Sequence, residues 1–366
     1  MSEDFNGDDP ISARLRTLRS EYGGTAVAPS AQSEAAGQPS GTAVEPVQGV
    51  AKKAVEGISR LTGTEKLEGF SLKALFADVF KRHGEEAVER FFTVGTATTT
   101  PPIAEVDTSW PRPWLFFRMM VASIIIYALF RIGMNEFHND NLIPGMIMTG
   151  VFAIPCSVLV LFVEMNVRRN VSLYQVLKVL FLGGVVSLLI SLLMFRVTAA
   201  IGLNWMGASV AGIAEETGKL ATVVLVVRSA RYPYRLNGLL FGAAVGTGFA
   251  VFESMGYALR SNSLNGMIDS IFIRGVLSPF GHIIWTAITA AALWRVKGTR
   301  PFAWAMLRDM RFLRLALVPV VLHIIWNAPF ELPFYGKYVI LGVVGWLIVF
   351  SLIQEGLGEL RAEKAR

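Results

Sequence analysis

Residues 205–228 read WMGASVAGIAEETGKLATVVLVVR, an apolar run of membrane-crossing length with two adjacent glutamates and a lysine near its middle. About 20 predominantly apolar residues let a helix cross the roughly 30 Å hydrocarbon core of a bilayer. Comparable runs stand at about 114–133, 142–163, 175–196, 236–259, 270–294, 312–330 and 337–355. Helices are the required reading, because in lipid each backbone N–H and C=O must find its partner within the chain. The sequence therefore predicts an all-α, polytopic transmembrane bundle of about eight spans.

Composition points the same way. Hydrophobic residues make up 53% of the 366 positions and charged residues 17%, with a mean hydropathy of +0.48, too apolar for an ordinary soluble chain. The start, MSEDFNGDDP, is acidic and lacks the basic-then-apolar pattern of a secretory signal. Residues from about Tyr22 to Gln48 are rich in Gly, Ala, Ser, Thr and Pro, too poor in large apolar side chains to offset ordering entropy, and read as a disordered linker. Residues 1–60 are thus expected to be largely disordered.

Residues 61–113 form an amphipathic helical region on the cytoplasmic side, with Phe70, Leu72, Leu75, Phe76, Val79 and Phe80 at mixed helical spacing. Residues 114–355 form the membrane domain, and 356–366 a cytoplasmic tail.

Charge in the loops orients the bundle. Arg168 and Arg169, then Arg228, Arg231 and Arg235, then Arg295, Lys297, Arg300, Arg308, Arg311 and Arg314 occupy alternate loops, which are cytoplasmic by the positive-inside rule. An even number of spans then returns both termini to the cytoplasm. Topology also accounts for the net charge of +6 without invoking nucleic acid. A single cysteine, Cys156, excludes intramolecular disulfides and a cysteine-based metal cluster, so any metal must be held by His and carboxylates.

Charge inside a span costs at least ~2.5–3.5 kcal/mol at its centre, so each such residue needs a partner or a purpose. Glu215 and Lys219 share one helix face at a four-residue step, and the adjacent Glu216 adds cost that pairing alone does not require. Glu253 continues the small-residue face made by Gly238, Gly242 and Gly246, with Phe249 one turn before it, and is expected to face the bundle interior. His282 and His323 are each followed by Ile-Ile-Trp, and Asn327 lies one turn after His323. At ~1.5 Å per residue, Glu215 and Glu216 lie roughly 15 Å below the outer boundary, Glu253 roughly 9 Å, His282 roughly 18 Å and His323 roughly 10 Å. Four helices can bring them to one polar cavity reached by water from the extracytoplasmic side.

These residues carry a family resemblance. Glu215-Glu216-Thr-Gly-Lys219 resembles the EExxK motif of PrsW-type proteases, Phe249 to Glu253 resembles their FxxxE motif, and His282 and His323 resemble their two membrane histidines. His323 with Asn327 is also similar to the HxxxN motif of type II CAAX prenyl proteases, which differ in the spacing after the paired glutamates and carry a histidine where Glu253 stands. The resemblance covers roughly residues 114–355. It implies an intramembrane protease of a bacterial-type inner membrane, acting on a membrane-anchored protein, with an anti-sigma factor as one known substrate of the family.

Amide hydrolysis needs an activated water, a stabilised oxyanion and a proton for the leaving amine. In a metal version, His282, His323 and Glu253, or Glu216 as the alternative third ligand, hold zinc, and Glu215 is the general base. In a metal-free version, Glu215 activates water beside Glu216, while His282 or His323 with Asn327 polarises the carbonyl. Two readings from other classes stay open. A transporter or channel would use the same Glu/His cluster as a proton relay, and a non-catalytic scaffold would use it to grip other membrane helices.

Overall fold

The structure, a computed structural model, describes residues 44–226 and 231–366. Helices and short 3-10 turns account for its regular structure, and there is no strand among the described residues. Ahead of the bundle in the chain come α1 (Val44–Thr62), the single turn α2 (Leu72–Leu75) and α3 (Glu85–Phe92). The bundle follows as α4 (Leu115–Phe137), α5 (Ile143–Met165), α6 (Leu173–Ala200), α7 (Ala211–Val226), α8 (Arg235–Leu259), α9 (Leu264–Leu277), α10 (His282–Lys297), α11 (Met310–Trp326) and α12 (Gly336–Lys364). Residues 58–366 form one compact unit that contains the whole bundle; of the other unit, ending at Gly57, only the first part of α1 is described.

Among the described residues, six helical stretches are long and apolar enough to cross a membrane: Leu115–Phe137, Asp140–Met165, Leu173–Ala200, Arg235–Leu259, Leu264–Lys297 and Pro333–Lys364. The expected fourth and seventh spans correspond to α7 and α11, at 16 and 17 residues shorter than the rest. Burial ranks the spans. The apolar window of α8 is 83% buried and that of α4 only 6%, so α8 is the central helix and α4 a peripheral one facing lipid.

Glycine lets α8 sit at the centre. A methyl group added at Gly246 would collide with the carbonyl oxygen of His282, and one at Gly242 with that of Thr286. The two backbones are therefore in direct contact, and His282 is held against α8 as the small-residue spacing anticipates.

At the opposite end of the bundle a buried carboxylate, Glu355 of α12, ties three elements together. It accepts from Arg295 of α10 at 2.6 and 3.0 Å, from Arg235 of α8 at 3.3 Å and from the backbone N–H of Glu65 at 3.0 Å. Glu164, near the end of α5, accepts the first free N–H groups of α4, from Trp114 and Leu115 at 2.8 Å and Phe116 at 3.0 Å. A carboxylate at a helix amino terminus satisfies orphan donors and opposes the helix dipole.

Several local expectations change. The run 270–294 is not one helix: α9 ends at Leu277, a 3-10 turn covers Ser278–Phe280, and α10 begins at His282. Pro279 cannot donate to the helical ladder, and Gly281 adopts φ −118°, ψ −129°, far from helical values. The front of the run 205–228 is likewise not α-helical, because Leu203–Val210 is 3-10 structure turned at Gly207, whose φ of 56° suits glycine.

Residues 65–70 are not helical, so the amphipathic region reduces to α2 and α3; Leu75 of α2 is buried, and in the turns that follow it Val79 is buried and Phe80 exposed. The stretch expected as a disordered linker falls mostly outside the described residues, and its last positions, from Val44, begin α1. At the other end α12 continues through the expected tail to Lys364.

Candidate functional site

The ionisable side chains of the spans come together because each sits at the same end of the bundle. Glu215 and Glu216 lie in the second turn of α7, His282 opens α10, Glu253 lies two turns before the end of α8 and His323 is in the last turn of α11. Antiparallel neighbours present these starts and ends at one level. Arg235 stands 18 residues before Glu253 on α8, or about 27 Å along the helix, so the Glu355 network lies at the far end.

Glu216 is the most enclosed carboxylate of the group. Its Oε1 accepts from Lys219 Nζ at 2.6 Å and from His323 Nδ1 at 2.9 Å, and its side chain is 1% exposed. Because Nδ1 of His323 spends its proton on Glu216, Nε2 of that ring keeps its lone pair and faces Glu215 Oε2 at 3.9 Å. His282 is arranged the other way round. Its Nδ1 lies 2.8 Å from Lys219 Nζ, an ammonium that can only donate, so Nε2 carries the proton and donates to Glu253 Oε2 at 3.1 Å.

Glu215 stands between the two rings. Its Oε2 is 3.9 Å from His282 Nδ1, 3.9 Å from His323 Nε2 and 3.7 Å from Lys219 Nζ, and it is buried without a hydrogen-bond partner. An unmet buried carboxylate oxygen is costly and marks a place where a further group belongs. Glu215, His282 and His323 each offer a ligand atom within 4.8 Å of the others. Two imidazoles and a carboxylate form a donor set that catalytic zinc sites use, with the fourth position left open. The residues present therefore fit a divalent metal by type and convergence. The third donor that converges is Glu215, whereas Glu253 and Glu216, the third ligands expected from sequence, are turned to His282 and His323 as hydrogen-bond partners.

Aromatic rings wall the cluster. Trp285, fully buried, packs at a tilt against His323 at 4.6 Å and meets His282 edge-on at 5.3 Å, while Trp326 packs edge-on against Trp285. The repeated Ile-Ile-Trp after each histidine thus supplies the wall. Phe249 touches His282 at 5.0 Å and offers its face to Lys219 Nζ at 4.4 Å, a cation–π contact in a dry setting.

Two placements depart from the sequence reading. Asn327 donates to the carbonyl of Ala208 at 3.3 Å, tying α11 to the 3-10 segment before α7 instead of facing the histidines. Arg274, absent from the candidates, donates to Glu253 Oε2 at 2.5 Å and to Ser254 Oγ at 3.0 Å, and lies over the Tyr257 ring at 4.1 Å. The signal was available, since an arginine within DSIFIRGVL is an intramembrane charge in need of a partner.

Exposure is uneven. His282, Glu253 and Arg274 keep 16%, 18% and 14% of their side chains accessible, while Lys219, Glu216 and His323 are sealed. The cluster therefore opens on the side of α8, α9 and the break at 278–281.

Compared with known proteins, residues 171–353 match the PrsW family intramembrane metalloprotease, a stretch of half the chain that contains every residue of the cluster. No curated protein and no solved structure matches the chain.

Proposed function

The chain belongs to the PrsW family of intramembrane metalloproteases, and we propose that its buried Glu/His cluster cleaves the chain of a single-span, membrane-anchored protein by activating water at Glu215. The observation that carries this reading is the unpartnered Glu215 Oε2, set 3.9 Å from a nitrogen of each histidine. A water there would donate to Oε2, and Glu215 would take its proton as the oxygen attacks the scissile carbonyl. Glu215 then returns that proton to the departing amine, the usual double duty of a general base, worth about 10²–10⁴-fold in rate. When bound by Glu215, His282 and His323, a zinc ion would supply Lewis-acid polarisation of the carbonyl and of the water. A carboxylate has two oxygens, so ligation through one leaves the other free for the proton.

The remaining residues orient these groups. Glu216 fixes the His323 tautomer, and Glu253, held by Arg274, fixes that of His282; such outer partners keep histidines presented in one geometry. The aromatic wall excludes water from all but the open side, and within the dry interior each electrostatic contact gains strength. A helical substrate must be locally unwound there, because helix carbonyls are already hydrogen-bonded within their own chain.

With α7 and α11 counted as crossings and residues 264–297 as one bent crossing, the spans number eight. Both termini are then cytoplasmic, and the site opens in the outer half of a bacterial inner membrane. The substrate class this supports is a membrane-anchored regulator such as an anti-sigma factor.

Metal analysis of the purified protein, paired with a cleavage assay with and without chelator, tests the metal. Stoichiometric metal and chelator-sensitive cleavage restored by zinc are expected; metal-free protein that cleaves undisturbed by chelator would reduce the mechanism to glutamate and histidine alone. The break at Ser278–Gly281 favours one second reading, since transporters place broken helices at their ion sites. Proton flux into liposomes without any peptide cleavage would select it.

A further inference from the structure

The two histidines are not equivalent as metal ligands, and Lys219 is the reason. His323 Nε2 has its lone pair free, because its other nitrogen donates to Glu216. His282 has neither nitrogen free: Nδ1 accepts from the Lys219 ammonium at 2.8 Å and Nε2 donates to Glu253 at 3.1 Å. One lone pair cannot serve an N–H donor and a metal together. Lys219 is 1% exposed, so no water relieves it, and its remaining contacts are Glu216 Oε1 at 2.6 Å, Glu215 Oε2 at 3.7 Å and the face of Phe249.

We propose, on the reading of Glu215, His282 and His323 as the metal donors, that Lys219 is the resident cation of the cluster and competes with a divalent metal for His282 Nδ1. In the arrangement described, the ammonium balances the paired carboxylates and occupies the imidazole; when metal binds, the ammonium leaves His282 and the metal takes over both tasks. The displaced ammonium has a destination within the same pocket, since Glu216 Oε2 is buried without a partner. The exchange swaps one hydrogen bond for another and breaks no covalent bond. Lys219 therefore balances the carboxylates in metal-free protein and, by the same contact, weakens the metal's hold.

The test is zinc binding to the full chain, purified in detergent and stripped of metal, followed by isothermal titration for wild type, Lys219→Met and Lys219→Gln. Both variants should bind zinc at least tenfold tighter than wild type. The two histidines should also differ in wild type, where His323→Ala weakens zinc binding far more than His282→Ala, and become alike in the Lys219→Gln background. That comparison stands even where Lys219→Met folds poorly. Unchanged or weaker zinc binding in both lysine variants, with binding still lost on His323→Ala, overturns the competition and leaves the metal site intact. Absence of zinc binding in wild type and in both variants overturns the metal site and the competition together.

Discussion

Nδ1 of His323 donates to Oε1 of Glu216 across 2.9 Å, joining α11 to α7 at the most enclosed point of the cluster. That one hydrogen bond decides which nitrogen of His323 faces Glu215. It gives Glu216 an orienting task different from that of its neighbour in sequence, and the two glutamates should separate on substitution.

Glu216→Gln keeps a carbonyl oxygen that can accept from both donors but removes the charge that Lys219 and His323 share. Cleavage and metal affinity should each fall about 10–100-fold, the usual cost of losing a partner of a ligating histidine. Loss of cleavage with metal affinity unchanged would assign Glu216 a direct part in the chemistry. A rate equal to wild type would remove it from the cluster.

Arg274 should matter through Glu253. Arg274→Met leaves a largely buried carboxylate with His282 as its remaining partner among those described above, and an uncompensated buried charge costs roughly 3–5 kcal/mol where the pair is well enclosed. A lower thermal midpoint and about 10–100-fold slower cleavage are expected. Arg274→Lys, which keeps the charge but not the fork that reaches both Glu253 and Ser254, should recover part of each. A midpoint and rate both at the wild-type level for Arg274→Met would uncouple α9 from the site.

For Lys219, the charge is the critical property. Lys219→Arg keeps a cation beside Glu215 and Glu216 and should retain partial activity, although the larger planar group fits the sealed pocket poorly. Lys219→Met should lower the thermal midpoint in metal-free buffer, and added zinc should raise it again. An unchanged midpoint without metal would mean that these three side chains do not form one electrostatic unit.

Orientation is open to labelling. In a Cys156→Ser background, a cysteine placed in the loop after Arg295 should be shielded from an impermeant thiol reagent in whole cells, and one near Asn139 should react. The reverse pattern would turn the bundle over and open the site toward the cytoplasm.

Much of the bundle is legible in hydropathy alone, since a long apolar run in lipid has one way to satisfy its backbone. The expected 236–259 and 142–163 differ by one or two residues from Arg235–Leu259 and Ile143–Met165. The break before His282 is harder to read, because the residues on both sides of it, Gly275–Leu277 and Ile283–Trp285, are apolar, and Pro279 with Gly281 interrupts one continuous run. The gathering of Glu215, Glu216, Glu253, His282 and His323 follows from their depths, a one-dimensional property that sequence position supplies.

Which atom faces which does not follow from depth. The contacts of Lys219 with His282, of Asn327 with Ala208 and of Arg274 with Glu253 depend on helix rotation, and rotation is set by packing such as Gly246 against His282. Arg274, four residues into the run 270–294, is legible as an intramembrane charge, but the partner it meets is not.

The most direct measurement compares full-length wild type and Glu215→Gln, reconstituted in liposomes with a single-span peptide substrate, by mass spectrometry of the products in ¹⁸O-labelled water. Wild type should yield two fragments with one labelled oxygen in the new carboxyl terminus. The variant, equally inserted and folded, should cleave at least ~10²-fold more slowly, because the amide keeps the shape of the side chain and loses the base. Cleavage by Glu215→Gln at the wild-type rate would contradict the assignment of water activation to this residue.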